Sequence, residues 1–123
     1  DRHSMEKEEL YTKEYMNEDA GVLIEYYLIT ETISEEYPEL KSYGVKINKV
    51  THYDGGRKSA EMKQINGIFY RRRDAEEFLE KISRNQVTPV ILSDVTEDYI
   101  IENMERKRIM LHKRSAAVQS AAV

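Results

Sequence analysis

The chain has 123 residues, of which 40% are hydrophobic and 34% are charged, a size and composition that suit one compact domain. It contains no cysteine, which excludes a disulfide framework, a thiolate metal site and a cysteine nucleophile. No segment approaches the roughly 20 apolar residues of a membrane-spanning helix, and the acidic amino terminus lacks the apolar core of a signal peptide. We therefore expect a cytoplasmic protein without membrane contact, and we assign no cofactor.

The formal net charge of −4 is unevenly distributed along the chain. Residues 1–41 carry 12 acidic and 4 basic side chains, a charge of −8, whereas residues 42–123 carry 11 acidic and 15 basic side chains, a charge of +4. Such polarity favours charge compensation within the fold or head-to-tail association between copies, and it permits weak nucleic-acid binding by the later part.

The amino-terminal segment has few apolar residues. Residues 1–4 are typical of a cloning remnant, and residues 1–20 as a whole predict a flexible acidic arm. We expect a single α+β domain over residues 21–114. The small, alanine-rich residues 115–123 predict a flexible tail.

The first predicted strand covers residues 22–33, where β-branched and aromatic residues dominate. Its even positions Val22, Ile24, Tyr26 and Leu28 are all apolar, which indicates that one face of the strand belongs to the core.

Two further strands are predicted on either side of a tight turn. Residues 43–51 alternate apolar and polar side chains, and Asp54-Gly55-Gly56 supplies residues that tolerate positive φ. Residues 59–70 then return antiparallel, with a bulge or a further turn at Asn66-Gly67. The predicted sheet is a three-stranded meander.

A helix is predicted next. Asp74 has the position of an N-cap residue, and Glu77 follows at the spacing of a capping box. One apolar stripe follows at helical spacing, formed by Ala75, Phe78, Leu79 and Ile82. The helix should end near Asn85.

The remaining segment predicts an edge strand and a second helix. Pro89 disfavours helix over residues 87–91 but permits an extra edge of the sheet. Asp94 with Glu97 repeats the capping pattern and opens the second helix. We therefore predict an α+β fold with a small antiparallel sheet of three strands, a possible extra edge, and two helices packed on one face.

Catalytic and metal-binding residues are weakly indicated. His52 and Asp54 lie two residues apart on one strand face, where a carboxylate could orient a general base. Polar residues at a solvated hairpin end explain the same pattern better. His112 has no second ligand at the four-residue spacing of a helical metal site, so we assign neither a metal nor catalytic residues.

Tyrosine accounts for 9 of the 11 aromatic residues. Five tyrosines fall on or beside predicted strands and are candidates for a protein-binding face: Tyr26, Tyr27, Tyr43, Tyr53 and Tyr70. Tyrosine is enriched at the energetic centres of protein interfaces. Packing of the ring in the core or at its rim is the alternative.

Two basic clusters suggest a nucleic-acid-binding alternative. Arg71, Arg72 and Arg73 precede the first helix, and Arg106, Lys107, Arg108, Lys113 and Arg114 lie in residues 106–114 of the second. Several phosphate contacts would follow if both clusters shared a face. The acidic first third of the chain opposes this interpretation, and a solvated helix boundary with a basic helix end is the simpler one.

Three segments together resemble a family of small bacterial proteins of unknown function. They are a tyrosine-rich strand at Tyr26–Ile29, a Tyr-Gly-x-x-Ile strand at Tyr43–Ile47, and a closing Thr-Pro-x-x-Leu-x-Asp-Val-x-x-Asp segment at Thr88–Asp98. The resemblance spans residues 22–101 and implies no activity and no catalytic residue.

The leading hypothesis is a noncatalytic cytosolic regulatory or adaptor protein that acts through protein contact and forms a homodimer. Pairing across a sheet edge, or exchange of the last helix, would cover the edges of a small sheet. The second hypothesis is a nucleic-acid-binding regulator, and an enzyme that uses His52 and Asp54 is the third.

Overall fold

A computed structural model describes residues 6–17 and 21–121. The described chain has an α+β fold with a four-stranded antiparallel sheet and two α-helices. The proposed cloning remnant, residues 1–4, lies outside the described residues.

The sheet is a meander in which each strand pairs with the next one in the chain. It has four strands rather than the predicted three. In sheet order they are β1 (Glu6–Asn17), β2 (Gly21–Thr32), β3 (Lys41–His52) and β4 (Lys58–Phe69).

The additional strand is β1, which comes from the segment in which the sequence suggests a flexible arm. It pairs antiparallel with β2, with Leu10 opposite Tyr27 and Thr12 opposite Tyr26. An edge strand faces water along one side, so a charged sequence suits it. The composition does not indicate this strand, because β1 lacks an apolar face of its own. Backbone pairing with β2 holds β1 in the sheet.

Helix α1 spans Arg72–Arg84 and begins two residues before Asp74. Arg71 occupies the N-cap position without a side-chain cap hydrogen bond, so the predicted capping box is wrong. Asp74 lies in the first turn, where its carboxylate interacts favourably with the helix dipole. The predicted end is confirmed, because Asn85 is the C-cap residue and donates a 2.8 Å hydrogen bond to the Lys81 carbonyl.

The core lies between α1 and one face of the sheet. The apolar stripe predicted for α1 is confirmed, because four side chains are fully buried: Ala75, Phe78, Leu79 and Ile82. The predicted core face of β2 is confirmed at Ile24, Tyr26 and Leu28. The rings of Phe69 and Phe78, 5.6 Å apart between centroids, connect β4 with the helix.

The predicted hairpin and bulge are both confirmed. Gly55 and Gly56 form the turn between β3 and β4 with φ of +89° and +86°, values that glycine adopts without steric strain. The pairing register then shifts between Tyr43 and Val45, opposite the predicted bulge at Asn66-Gly67.

The bulge explains the glycine of the Tyr-Gly-x-x-Ile strand. A Cβ atom on Gly44 would lie 2.1 Å from the carbonyl oxygen of Ile65 and 2.7 Å from the Cα of Asn66. Both neighbours are backbone atoms, which cannot rotate away as a side chain could. Gly44 therefore allows the bulged part of β4 to lie directly against β3.

The predicted extra edge at residues 87–91 is wrong. Pro89–Ile91 forms a 3-10 turn with the proline at its start. The backbone amide of the preceding Val87 donates a 2.9 Å hydrogen bond to the Ile82 carbonyl, which connects this segment to the end of α1. A proline at the first position of a helical turn loses no hydrogen bond, and its fixed φ suits the turn.

Helix α2 spans Leu92–Ala121, so it begins two residues before Asp94, and Asp94 lies in the first turn rather than at the predicted start. Its backbone continues through residues 115–121, where the sequence suggests a tail. The chain divides into two compact units, residues 1–92 and residues 93–123. The first contains the sheet and α1, and the second contains nearly all of α2.

Candidate functional site

The five candidate tyrosines do not share one surface. Tyr26 is buried, Tyr27 and Tyr43 are half-buried, and Tyr53 and Tyr70 are exposed. Tyr53 lies at the β3–β4 hairpin, where the guanidinium of Arg57 is 5.5 Å from its ring centroid. Tyr70, 75% exposed, lies between β4 and α1. These residues would have to contact a partner at separate places.

Tyr26 belongs to the core. Its side chain is fully buried, and its hydroxyl donates a 2.8 Å hydrogen bond to the carbonyl of Val87. This bond attaches the segment that follows α1 to the centre of β2. Burial, with a smaller contribution from the Glu14 carboxylate, raises the pKa of Tyr26 far above its usual value. The packing alternative therefore accounts for this tyrosine.

Tyr27 lies on the opposite face of the sheet, beside charged side chains. We call this surface, which carries Tyr27, Glu8 and Lys46, the polar face. The Lys46 ammonium is 5.1 Å from the Tyr27 ring centroid and also pairs with the Glu8 carboxylate. Partial burial, followed by the nearby Glu25 carboxylate, raises the pKa of Tyr27, and a hydrogen bond with Asn48 partly offsets this. The Tyr27 ring therefore packs beside charged groups of the same sheet.

Side chains on the polar face connect the two edge strands. The Gln64 amide of β4 donates to the Glu6 carboxylate of β1 over 3.1 Å and to the Asn66 side chain over 2.8 Å. The two edges of the sheet therefore come within reach of each other's long side chains at this point. The sequence does not predict this contact, because the contact depends on a strand that the composition does not indicate.

The basic cluster at residues 71–73 contacts carboxylates. The Arg72 guanidinium lies 2.5 Å from the Glu9 carboxylate of β1 and 3.2 Å from that of Glu76. Arg73 lies 3.6 Å from Glu77, and Arg71 is exposed. Two of the three guanidinium groups are therefore already paired within the fold, which reduces the positive potential available to a phosphate backbone.

The second basic cluster is described in part. Arg106 pairs with Glu102 one turn earlier, over 3.3 Å. The side chains of Lys107 and Arg108, and those of the basic residues up to position 114, lie outside the described residues. The two clusters also belong to different compact units.

The geometry does not favour the catalytic pair. His52 and Asp54 are both exposed at the β3–β4 hairpin, where solvent surrounds their polar atoms. In the part of the chain that the structure describes, no three His, Asp or Glu side chains come together as a metal site would require.

An exposed apolar surface lies on α2. Ile100, Ile101 and Met104 are 37%, 56% and 60% exposed, and at 100° per residue they fall within an arc of about 100° around the helix axis. We call these three residues the α2 stripe. Ile109 is 55% exposed but lies on another side of the helix. The sequence places these residues on a helix but does not predict their exposure.

Among the described residues, neither helix combines the length and the apolar character needed to cross a membrane. No curated protein and no solved structure matches the chain. Comparison with protein-family models matches residues 5–102 with a family of unknown function, DUF6514, which confirms the kind of family that the sequence resembles. Because this match covers most of the chain, the protein belongs to the DUF6514 family.

Proposed function

We propose that the protein is a noncatalytic regulatory or adaptor protein of the bacterial cytosol, which acts through protein contact and associates with itself as a homodimer. The observation that supports this most directly is the α2 stripe. Single exposed apolar side chains are common on soluble proteins, but adjacent ones indicate an interaction surface. Ile100 and Ile101 each neighbour Met104 at helical spacing, so the three form one patch.

The sheet edges are less suitable for self-association. β1 and β4 each contain a register shift, and β1 carries lysine and glutamate along most of its length. Bulges and charged side chains are the features by which edge strands avoid pairing with another sheet. A contact through side chains therefore fits the chain better than a continuous intermolecular sheet.

The exposed tyrosines are secondary candidates for partner contact. Tyr53 and Tyr70 offer accessible rings, and the half-buried Tyr27 and Tyr43 offer ring edges. Tyr26 is excluded from this set because its side chain is fully buried. Since these tyrosines lie apart, they would add area to a contact without forming its centre.

Sedimentation equilibrium of the full chain tests the proposal. We expect the mass of a dimer at micromolar concentration, whereas a monomer at that concentration would contradict self-association. Electrophoretic mobility shift at low salt tests the nucleic-acid alternative in parallel. The pairing of Arg72 and Arg73 with glutamates leads us to expect no shift, and a salt-sensitive shift that disappears in R71E/R106E would favour that alternative.

A further inference from the structure

Helix α2 consists of an acidic half followed by a basic half. Residues 92–105 contain no lysine or arginine, and residues 106–121 contain no aspartate or glutamate. The acidic half carries Asp94, Glu97, Asp98, Glu102 and Glu105. The basic half carries Arg106, Lys107, Arg108, Lys113 and Arg114.

This order of charges along α2 contributes to the stability of the helix even without a binding partner. Acidic residues near the amino-terminal end and basic residues near the carboxy-terminal end both complement the helix dipole. The Glu102–Arg106 pair adds a contact between successive turns. Neither effect requires three large apolar side chains to face solvent, so the helix dipole leaves the α2 stripe unexplained.

We infer that the α2 stripe binds helix α2 of a second copy of the chain, with the two helices antiparallel. This inference rests on the proposed self-association and specifies its surface. In an antiparallel pair the acidic half of each helix lies beside the basic half of the other. Opposite charges therefore attract each other at both ends of the pair. In a parallel pair like charges lie side by side along the whole helix, which is unfavourable.

Symmetry and spacing fit the same arrangement. A homodimer usually has one twofold axis, about which residue i of one copy faces residue j of the other and the reverse. An axis at position 106, where the charge changes sign, brings Ile101 of one copy beside position 111 of the other, which is leucine. On each side of the axis an isoleucine then lies beside a leucine, and opposite charges lie beyond them.

Charge also argues against two other occupants of the stripe. A nucleic acid would be repelled by the five carboxylates of the acidic half, and an acidic membrane surface would be repelled in the same way. A second copy of α2 has both the apolar residues and the reversed order of charges.

Neutral substitutions test the surface. I101Q/M104Q removes two of the three residues of the α2 stripe, and I109Q is the matched control, since Ile109 is similarly exposed on another side of the helix. We expect the double variant to raise the dimer dissociation constant at least tenfold in sedimentation equilibrium and I109Q to leave it unchanged. Circular dichroism verifies that both variants keep their helix content.

Cysteine cross-linking tests the orientation, because the chain has no cysteine of its own. In the antiparallel dimer position 97 of one copy faces position 115 of the other, whereas the two copies of position 97 lie about 27 Å apart along the helix axes. We expect a disulfide when E97C and S115C are mixed and none from E97C alone.

The outcomes separate this inference from the proposed function. A wild-type monomer would overturn both. A dimer that survives I101Q/M104Q, or one that forms no mixed disulfide, would overturn the α2 contact and leave self-association in place. A disulfide from E97C alone would overturn the antiparallel arrangement.

Discussion

The two helices of this protein place similar apolar residues in opposite environments. The apolar stripe of α1 is fully buried, with Phe78 and Ile82 packed against the sheet. The α2 stripe is more than one-third exposed at each of its three positions. Both helices were predicted from a capping pattern at their start, and α1 also from apolar residues at helical spacing.

The difference shows what helical spacing does and does not indicate. Apolar residues that recur at helical intervals predict a helix that buries one face. They do not indicate whether the partner surface is in the same fold or on another molecule. In α1 the partner is the sheet. For α2 we propose a second copy of the chain, and the following substitutions test the contrast in order of decreasing effect.

A matched pair of isoleucines gives the largest expected difference. I82A on α1 should lower the free energy of unfolding by about 2–5 kcal/mol, because it leaves a cavity in the core. I101A on α2 should change that free energy by less than about 0.5 kcal/mol, since Ile101 is exposed. Urea unfolding at a concentration where both variants are monomeric measures the two values, and equal losses would contradict the contrast.

Two glycine substitutions test how closely β4 lies against β3. G44A should destabilise the fold by about 3 kcal/mol, the upper part of the usual range for overpacking, because the new Cβ would meet backbone atoms of β4. In G21A the nearest atom is the Cβ of His52 at 4.0 Å, so the control should have an unchanged or slightly higher stability. If G44A unfolds at the same urea concentration as the wild type, the close approach of β4 to Gly44 is wrong.

The buried hydroxyl of Tyr26 gives an intermediate effect. Y26F should cost about 1–2 kcal/mol in urea unfolding because it leaves the Val87 carbonyl without its donor. Y15F removes a hydroxyl from a 72% exposed side chain and should have almost no effect.

The Tyr26 hydroxyl also predicts that the free energy of unfolding depends on pH in the alkaline range. Burial raises the pKa of Tyr26, so above about pH 10 the unfolded chain releases a proton that the folded chain retains. The free energy of unfolding should therefore be constant with respect to this group below pH 10 and fall as pH rises above it. Unfolding measured from pH 8 to 11 should show a shallower decrease in Y26F, and parallel curves would contradict the prediction.

The smallest expected effect belongs to the charged contact between α1 and β1. R72Q removes the pairs with Glu9 and Glu76, but all three side chains are about half exposed, so the loss should stay below about 1 kcal/mol. R73Q, at an 87% exposed side chain, should lose still less. High salt should reduce the difference between R72Q and the wild type, and a larger loss would mean that charge rather than apolar burial attaches α1.

The candidate surface was only partly predictable. Residue type and spacing correctly identified α1, the core face of β2 and the β4 bulge, because each depends on neighbours in sequence. The candidate tyrosines do not form one surface, since Tyr26 and Tyr27 are adjacent in the chain but lie on opposite faces of β2. The pairing of Arg72 with Glu9 could not be predicted, because it depends on a strand whose composition indicates no fold of its own.

By itself, the sequence determined the α+β class, the turn at Asp54-Gly55-Gly56, the buried stripe of α1 and the reversal of charge along α2. These features follow from local steric preferences and from the periodicity of apolar and charged residues. Only the tertiary structure decided that residues 6–17 form a fourth strand, that Gly44 lies under the β4 backbone and that the α2 stripe is exposed. Each of these depends on which distant backbone or side chain lies opposite, and that is settled when the chain packs.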